Sequence, residues 1–268
     1  MSNVAVPSDS NAQEALTEFG NEISALVNRV IEGNRETVTK AADRIRHTLD
    51  NGGVVYTAGA GHSLAAVMET FFRAGGLAPV RPLWHADVLP FNGAALSTQA
   101  ERTPGLGRSV IDASTVEARD TVVLFSTSGI NPYPLEIALG ARERGATVIA
   151  VTSVGASQLA PQRAGQRLFE IADVVLDTLV PSGDASWPVG GTSVTAPVSS
   201  ITNTVLWDCV LVALYEADPS LPVWRSANIA TAGSSNDDLM AHYAERIPEM
   251  LAADPARRAA VTAATKSQ

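Results

Sequence analysis

The chain has 268 residues, of which 46% are hydrophobic and 18% charged, so it can bury a large core and is not of the disordered class. The formal net charge of −9 lacks the basic excess of duplex-binding proteins, which argues against nucleic acid as a partner. A small anion can still bind, because a local site can be positive. The single cysteine, Cys209, excludes an internal disulfide and is typical of a reducing compartment.

No export signal or membrane span is expected. The first residues, MSNVAVPSDSNAQ, contain neither a basic stretch nor an apolar run. The most apolar late stretch, 201–217, contains Asp208 and Glu216 and is shorter than the ~20 residues that a span needs. We therefore expect a soluble cytoplasmic protein.

The N-terminal region predicts two helices. Apolar residues recur at helical spacing from residue 12 to about 50, with a break at Gly33-Asn34 and a stop at Asn51-Gly52-Gly53. We expect residues 1–11 to be disordered before these helices.

A strand, a glycine loop, a helix and a second strand follow. Val54–Thr57 predicts a short strand, and residues 58–63 a turn of small residues. Apolar residues at helical spacing between Leu64 and Phe72 predict a helix that ends at Gly75-Gly76. Ala78-Pro79-Val80 predicts the next strand, which completes a βαβ unit.

The same pattern returns in the second half. Thr121–Phe125 predicts a buried strand, 126–131 a hydroxyl-rich turn, and Pro132 begins a helix to about Arg144. Residues 146–152 and 173–177 predict two further strands. Helices that alternate with apolar strands indicate an α/β fold, a three-layer doubly wound parallel sheet.

Three segments complete the chain. Residues 181–197 form a long loop of turn residues, and such loops are more often functional than idle. Val198–Ala217 and Asn236–Leu251 predict two helices. We expect one domain, 12–253, with an N-terminal helical extension, and a flexible tail at 254–268.

Two of the predicted turns can bind an anion. Gly59–Ser63 and Ser126–Asn131 each lie between a strand and a helix, where backbone N–H groups are free and the helix dipole is positive. Ser126, Thr127 and Ser128 add hydroxyls. Ligands bind at the carboxyl ends of parallel strands, so the two turns are expected to form one site there.

Other interpretations of the glycine turn are weaker. Leu64 stands where a dinucleotide-binding loop has its third glycine, and no acidic residue suits the ribose. No lysine follows either turn as in an ATP-binding loop. NAD and ATP are therefore disfavoured. The alternative that both turns are only tight connections remains open.

The two turns resemble those of the SIS (sugar isomerase) family. That family has a Gly-x-Gly-x-Ser turn after the first strand and a Ser-x-Ser-Gly turn after a later one. The resemblance covers about residues 35–220 and is closest to a subgroup of bacterial sugar isomerase domain proteins. The subgroup's segments are GHS, RAGGLAPV (73–80), Gly183-Asp184-Ala185, Pro197-x-Ser199 and SANI (226–229).

The resemblance implies a flavodoxin-like sheet and a sugar phosphate as ligand. Its phosphate would be held by the second turn, with Ser63 of the first turn and the backbone N–H groups of Gly129 and Ile130. The binding residues implied are Gly61, Ser63, Ser126, Thr127, Ser128, Gly129 and Asn131. The family contains isomerases, an ether-cleaving lyase and regulators that only bind, so all three activities remain open.

An aldose–ketose isomerase needs an acid–base group. Glu69 lies off the apolar face of its helix, with an i,i+4 ion pair to Arg73 as the structural alternative. His62 lies within the glycine turn, where it would contact a ligand or act as a spacer. His85, with Asp87, follows the second strand, where related isomerases carry a glutamate. Asp184 is implied by the subgroup's Gly-Asp-Ala segment.

The sequence favours a phosphosugar isomerase, with a phosphosugar-binding regulator or an ether lyase as alternatives. No cluster of residues has the spacing of metal ligands, so we expect neither a metal nor another cofactor. SIS domains are typically dimeric or larger, and the N-terminal helices and 198–217 are rich in apolar residues. We therefore expect a homodimer or higher homo-oligomer.

Overall fold

Five parallel strands form the central sheet: β1 (Val55–Gly59), β2 (Val80–Leu83), β3 (Thr121–Phe125), β4 (Thr147–Thr152) and β5 (Val174–Asp177). Their spatial order is β2-β1-β3-β4-β5, the order of flavodoxin-like sheets. The structure is a computed structural model that describes residues 9–226, 228 and 235–250.

Ten helices are seen in the described part of the chain. They are α1 (Asp9–Gly33), α2 (Arg35–Asp50), α3 (Leu64–Thr70), α4 (Ala94–Ala100), α5 (Leu106–Asp112), α6 (Pro132–Glu143), α7 (Val154–Leu159), α8 (Leu168–Ile171), α9 (Ser199–Ala217) and α10 (Asn236–Tyr243).

The helices cover both faces of the sheet. Helices α2, α3 and α9 pack together on one face, and α5, α6 and α8 pack on the other. All five residues of β1 and of β3 are buried, as expected for strands covered on both sides. The predicted α/β fold, a three-layer parallel sheet with N-terminal helices, is confirmed.

Helix α3, which follows the glycine turn, is shorter than its apolar pattern predicted. Helix α3 ends at Thr70 rather than at Gly75-Gly76, because Phe71 is extended and Phe72 has a φ of 48°. Met68 and Phe72, both assigned to its buried stripe, are exposed. The following residues instead pair with the late chain: Gly75 donates to the Trp224 carbonyl at 2.8 Å.

The long loop 181–197 contains a hairpin that the sequence pattern did not indicate. Strands β6 (Ala185–Trp187) and β7 (Thr195–Pro197) pair antiparallel, apart from the main sheet. The Trp187 ring meets Phe19 of α1 edge-on, with ring centroids 6.3 Å apart. The hairpin is therefore packed against the N-terminal helix.

Some predictions concern residues outside the described part. The disordered segment 1–11, the tail 254–268, Leu251 and half of the SANI segment fall wholly or largely there. The late helix predicted from Asn236 is seen as α10, followed by a 3₁₀ turn at Pro248–Met250. No helix among the described residues is long and apolar enough to cross a membrane.

Candidate functional site

The two turns that were predicted to bind an anion leave the sheet side by side. In the β1–β3 ladder Gly59 pairs with Phe125, so both strands end at the same level. Strand β2, which follows β1 in the chain, lies on one side of β1, and β3, β4 and β5 lie on the other side. This position is the topological switch point, where open parallel sheets bind their ligands.

The first turn depends on two glycines. A Cβ on Gly59 would lie 3.0 Å from the Cβ and the carbonyl oxygen of Ser63, closer than side chains normally approach. Gly61 has a φ of +58°, a left-handed conformation that glycine adopts without steric cost. The turn thereby brings Ser63 back against the end of β1.

The second turn is stabilised by a hydrogen bond within the turn and by another to the residue that follows β4. The Ser126 hydroxyl accepts a hydrogen bond from the Gly129 N–H at 3.2 Å, and the Thr127 carbonyl accepts from the Ser153 N–H at 3.0 Å. Gly129 has a φ of +57°, and a Cβ there would lie 3.0 Å from that of Leu168. The Gly129 N–H, expected to hold phosphate, is therefore directed to Ser126.

The donors of the second turn come from the turn itself and not from helix α6. Pro132 and Pro134 have no N–H, and the N–H of Tyr133 donates to the Glu101 carbonyl at 3.2 Å. The first turn of α6 thus offers no free amide. Among the described residues, no acceptor is found for four backbone N–H groups of the turn, those of Thr127, Ser128, Ile130 and Asn131.

A cleft of about 380 Å³ lies over both turns. Ser63 lines it from the first turn, and Ser126, Thr127, Ser128 and Asn131 line it from the second. The other walls come from the segments after α4, after α7 and before β6. Their lining residues are Glu101, Arg102, Pro161, Arg163, Ser182, Gly183 and Asp184.

Asp184 borders the cleft, but its carboxylate is engaged by helix α9. One oxygen accepts from the N–H groups of Val198 and Ser199, at 3.0 and 2.8 Å, and the other from the Ser199 hydroxyl at 2.6 Å. The two motifs Gly-Asp-Ala and Pro-x-Ser therefore meet at the start of α9. This geometry gives Asp184 a capping role that holds residues 182–184 beside the cleft.

The other three acid–base candidates do not line this cleft. Glu69 forms an ion pair with Arg73, as in the structural alternative, and His62 is exposed. His85 Nδ1 accepts from the Asp87 N–H at 3.2 Å and lines a separate pocket with Arg81 and Glu249. The structure therefore does not bring Glu69, His62 and His85 together around the two turns.

Glu101 is a carboxylate that the sequence analysis did not single out. It follows α4, lines the cleft and forms no side-chain hydrogen bond or ion pair within the described chain. Burial raises the pKa of the Glu101 carboxyl, although the positive charges of Arg102 and Arg163 partly oppose the rise. A carboxylate with a raised pKa inside a cleft is suited to proton transfer.

Two arginines give the cleft a positive wall. Arg163 donates to Asn131 Oδ1 at 2.7 Å, and Asn131 is only 6% exposed, so a buried amide orients this guanidinium. The Arg102 side chain has no hydrogen-bond or ion-pair partner in the part of the chain that is described. Since Glu101 and Asp184 also line the cleft, the two arginines give a chain of net charge −9 a site without a net negative charge.

Comparison with known proteins agrees with the turns and the sheet. The family model described as SIS domain matches residues 18–153. A UPF0309 protein of Geobacillus thermodenitrificans is 34% identical over 246 residues, which cover 88% of this chain and 98% of the relative. The chain belongs to the SIS domain family. The resemblance seen in its two turns and its subgroup segments is confirmed.

Other relatives and solved structures give the same result. A UPF0309 protein of Geobacillus kaustophilus is 32% identical over 243 residues, 88% of this chain and 97% of its own length. Phosphoheptose isomerase from Neisseria gonorrhoeae superposes with a TM-score of 0.53 at 19% identity, covering 76% of this chain and 99% of its own. At this identity the likeness shows the fold of an SIS domain.

The cleft residues missed by sequence reasoning in this SIS domain carry no local signal. Glu101 and Arg102 lie between two short helices, and Arg163 lies in a loop without a glycine–hydroxyl pattern. Only the tertiary structure brings them to the end of β3. Within the described residues, no three His, Cys, Asp or Glu side chains could together hold a metal ion. The absence of a required metal stays a prediction.

Proposed function

We propose that this SIS domain is a phosphosugar isomerase that interconverts an aldose and a ketose phosphate. The observation that supports this proposal most is the cleft, which combines a phosphate-sized set of donors with one unpaired carboxylate of raised pKa. The hydroxyls and free amides of the two turns would hold the phosphate. Membership of the SIS family supports the same ligand class.

Phosphate binding would fix the sugar chain over the sheet end, with its carbonyl carbon toward Glu101. In its ionised form, Glu101 would take the proton from C2 of the open-chain aldose; the C–H electron pair would form the C1–C2 double bond while the C1–O1 π pair moves onto O1, which gives an enediolate. Transfer of a proton from O2 to O1 through water, and return of the carboxyl proton to C1, would then form the C2 carbonyl of the ketose. A raised carboxyl pKa makes both proton transfers easier, because it lies nearer to the pKa of the reacting groups.

The experiment begins with a ligand screen. We would measure thermal stability with a panel of sugar phosphates, using the free sugars and NAD as controls. A ligand at 100 times its Kd adds about 2.7 kcal/mol of stability, which is easily detected. The phosphosugar that stabilises the protein is then incubated with it in D₂O, and deuterium entry at C2 is followed by NMR.

The isomerase proposal predicts deuterium at C2 and formation of the isomeric sugar phosphate. Binding without exchange would contradict it and would favour the phosphosugar-binding regulator. Release of an acid from an ether-linked phosphosugar, without an isomeric product, would show the lyase instead.

A further inference from the structure

The two turns offer enough donors to satisfy a phosphate without any arginine. A phosphate ester presents three strongly accepting oxygens. The turns supply three side-chain hydroxyls without a partner in the described chain, and four free backbone N–H groups. These donors belong to Ser63, Thr127 and Ser128 for the hydroxyls, and to Thr127, Ser128, Ile130 and Asn131 for the amides.

Arg102 and Arg163 are therefore in excess of what the phosphate needs. They come from two different walls of the cleft, after α4 and after α7. Neither forms an ion pair with a described carboxylate, and Asp184 is engaged by the start of α9. Glu101 and Asp184 together match the two positive charges of the cleft, but both guanidinium groups keep side-chain N–H donors that no described residue accepts.

A buried residue also fixes the direction of one guanidinium. Asn131 Oδ1 accepts from Arg163, although Asn131 stands at the start of α6, where its side chain would otherwise be free to cap the helix. A solvated surface arginine is normally not oriented by a buried side chain, so this hydrogen bond sets Arg163 apart from an ordinary surface arginine. A planar guanidinium held in place is well suited to a carboxylate or a second phosphate.

We infer that the substrate is a sugar phosphate with a second anionic group, which Arg102 and Arg163 bind together. The inference rests on the proposed function, because it assigns the phosphate to the two turns. It narrows the substrate class from phosphosugars in general to those with an additional carboxylate or phosphate. Such a substrate fits both an isomerase and the alternative lyase, whose leaving group is an acid.

The test compares ligands that differ only in the second charge. Sorbitol 6-phosphate and 6-phosphogluconate have the same chain and phosphate, and only the latter carries a carboxylate at C1. Fructose 6-phosphate and fructose 1,6-bisphosphate form the matching pair for a second phosphate. Calorimetric titrations at one fixed, low ionic strength would give Kd for each ligand, since salt screens exposed charges.

Three forms of the full chain are titrated alongside the wild type. Arg102→Gln/Arg163→Gln removes the proposed subsite, and Ser126→Ala/Ser128→Ala removes two hydroxyls of the second turn, of which that of Ser128 has no partner in the described chain. Arg46→Gln is the matched control, because Arg46 does not line the cleft and pairs with Asp43 on the surface. Melting temperatures establish that each variant is folded.

For the wild type we expect the doubly charged member of at least one pair to bind ten or more times tighter than its partner. The arginine variant should lose that advantage and keep its affinity for the singly charged member, whereas the serine variant should weaken both. Equal Kd values within both pairs would overturn the inference while leaving the proposed function intact. Equal weakening of both members by the arginine variant would also overturn it. Failure of the wild type to bind any of the four would contradict the proposed function, and the inference with it.

Discussion

The environment of Glu101 decides how the proposed reaction depends on pH. Burial raises the pKa of its carboxyl, and the positive charges of Arg102 and Arg163 only partly oppose this. The base is the ionised form, so the exchange rate at low substrate concentration should rise with pH through a pKa above that of an ordinary glutamate. A pH profile of C2 exchange checks this. A pH profile whose midpoint lies at or below the ordinary glutamate pKa would contradict it.

Two glutamates can be separated as acid–base candidates by matched substitutions. Glu101→Gln should lower the rate of C2 exchange by about two to four orders of magnitude and leave binding of the sugar phosphate intact. Glu69→Gln should retain most of the exchange, because Glu69 pairs with Arg73 and does not line the cleft. Deuterium NMR and calorimetry on both variants measure the two effects. The opposite pattern would move the base to Glu69.

The same carboxyl also affects the stability of the ligand-free protein. Its pKa is raised on folding, so its contribution to stability is fully present below the unfolded pKa and is lost as pH rises through the folded pKa. Glutamine does not titrate, so Glu101→Gln removes this pH-dependent loss of stability. The variant should therefore gain melting temperature relative to the wild type as pH rises from the ordinary carboxyl range to neutrality. A difference that does not change with pH would contradict the raised pKa.

At the scale of elements, one carboxylate joins the hairpin segment to helix α9. Asp184 accepts from two N–H groups at the start of α9 and from the Ser199 hydroxyl, with a φ of 62°. Asp184→Ala should cost about 1–2 kcal/mol of unfolding free energy, the usual range for a lost cap. It should also weaken sugar phosphate binding, because Ser182 and Gly183 line the cleft.

The control for Asp184→Ala is Asp184→Asn. Asparagine keeps an acceptor oxygen and tolerates a left-handed φ, so most of the stability should remain. Denaturant unfolding of both variants gives the comparison. An unchanged midpoint for Asp184→Ala would show that the three hydrogen bonds do not stabilise the protein.

Elements with a regular apolar pattern were predictable. Thr121–Phe125 is a strand with the predicted bounds, and Pro132 begins a helix as its fixed φ favours. The pattern misled at α3, since Met68 and Phe72 are exposed apolar residues that extended the stripe past the helix end. The short helices α4 and α5 and the β6–β7 hairpin have too few residues to show a period.

The candidate site was predictable where local chemistry defines it. Glycines and hydroxyls at strand ends indicated both turns, and parallel strands bring such turns together. Glu101, Arg102 and Arg163 could not be predicted, because the long crossovers between strands determine where those residues lie. Helix α6 also shows that a turn before a helix need not offer helix N–H groups, since Pro132 and Pro134 remove them.

For the whole molecule, the outer face of α9 bears on the expected self-association. Ile201, Val212 and Tyr215 are exposed along it, and Val212 is 63% exposed, although the opposite face of α9 is buried against α2. Asp208 interrupts this face, but exposed apolar residues grouped on one side of a helix are typical of an interaction surface. We propose that a second copy of the chain covers this face.

Val212→Glu should reduce the mass of the particle to that of a smaller assembly or a monomer, since an unpaired charge cannot be buried cheaply. Sedimentation velocity checks this. Leu159→Glu is the control, because Leu159 is equally apolar and 79% exposed, but lies on α7. A wild-type protein that sediments as a monomer would contradict the proposal.

In the proposed function, the two turns hold the phosphate of a sugar phosphate. The most direct test is a calorimetric titration of the phosphosugar found in the screen into the wild type and into Ser126→Ala/Ser128→Ala. Ser24→Ala/Ser109→Ala is the control, because both serines are exposed and bond to their own helices. We expect about 100-fold weaker binding for the first variant, roughly 3 kcal/mol, and no change for the control. Unchanged affinity of Ser126→Ala/Ser128→Ala, or equal binding of the free sugar, would contradict it.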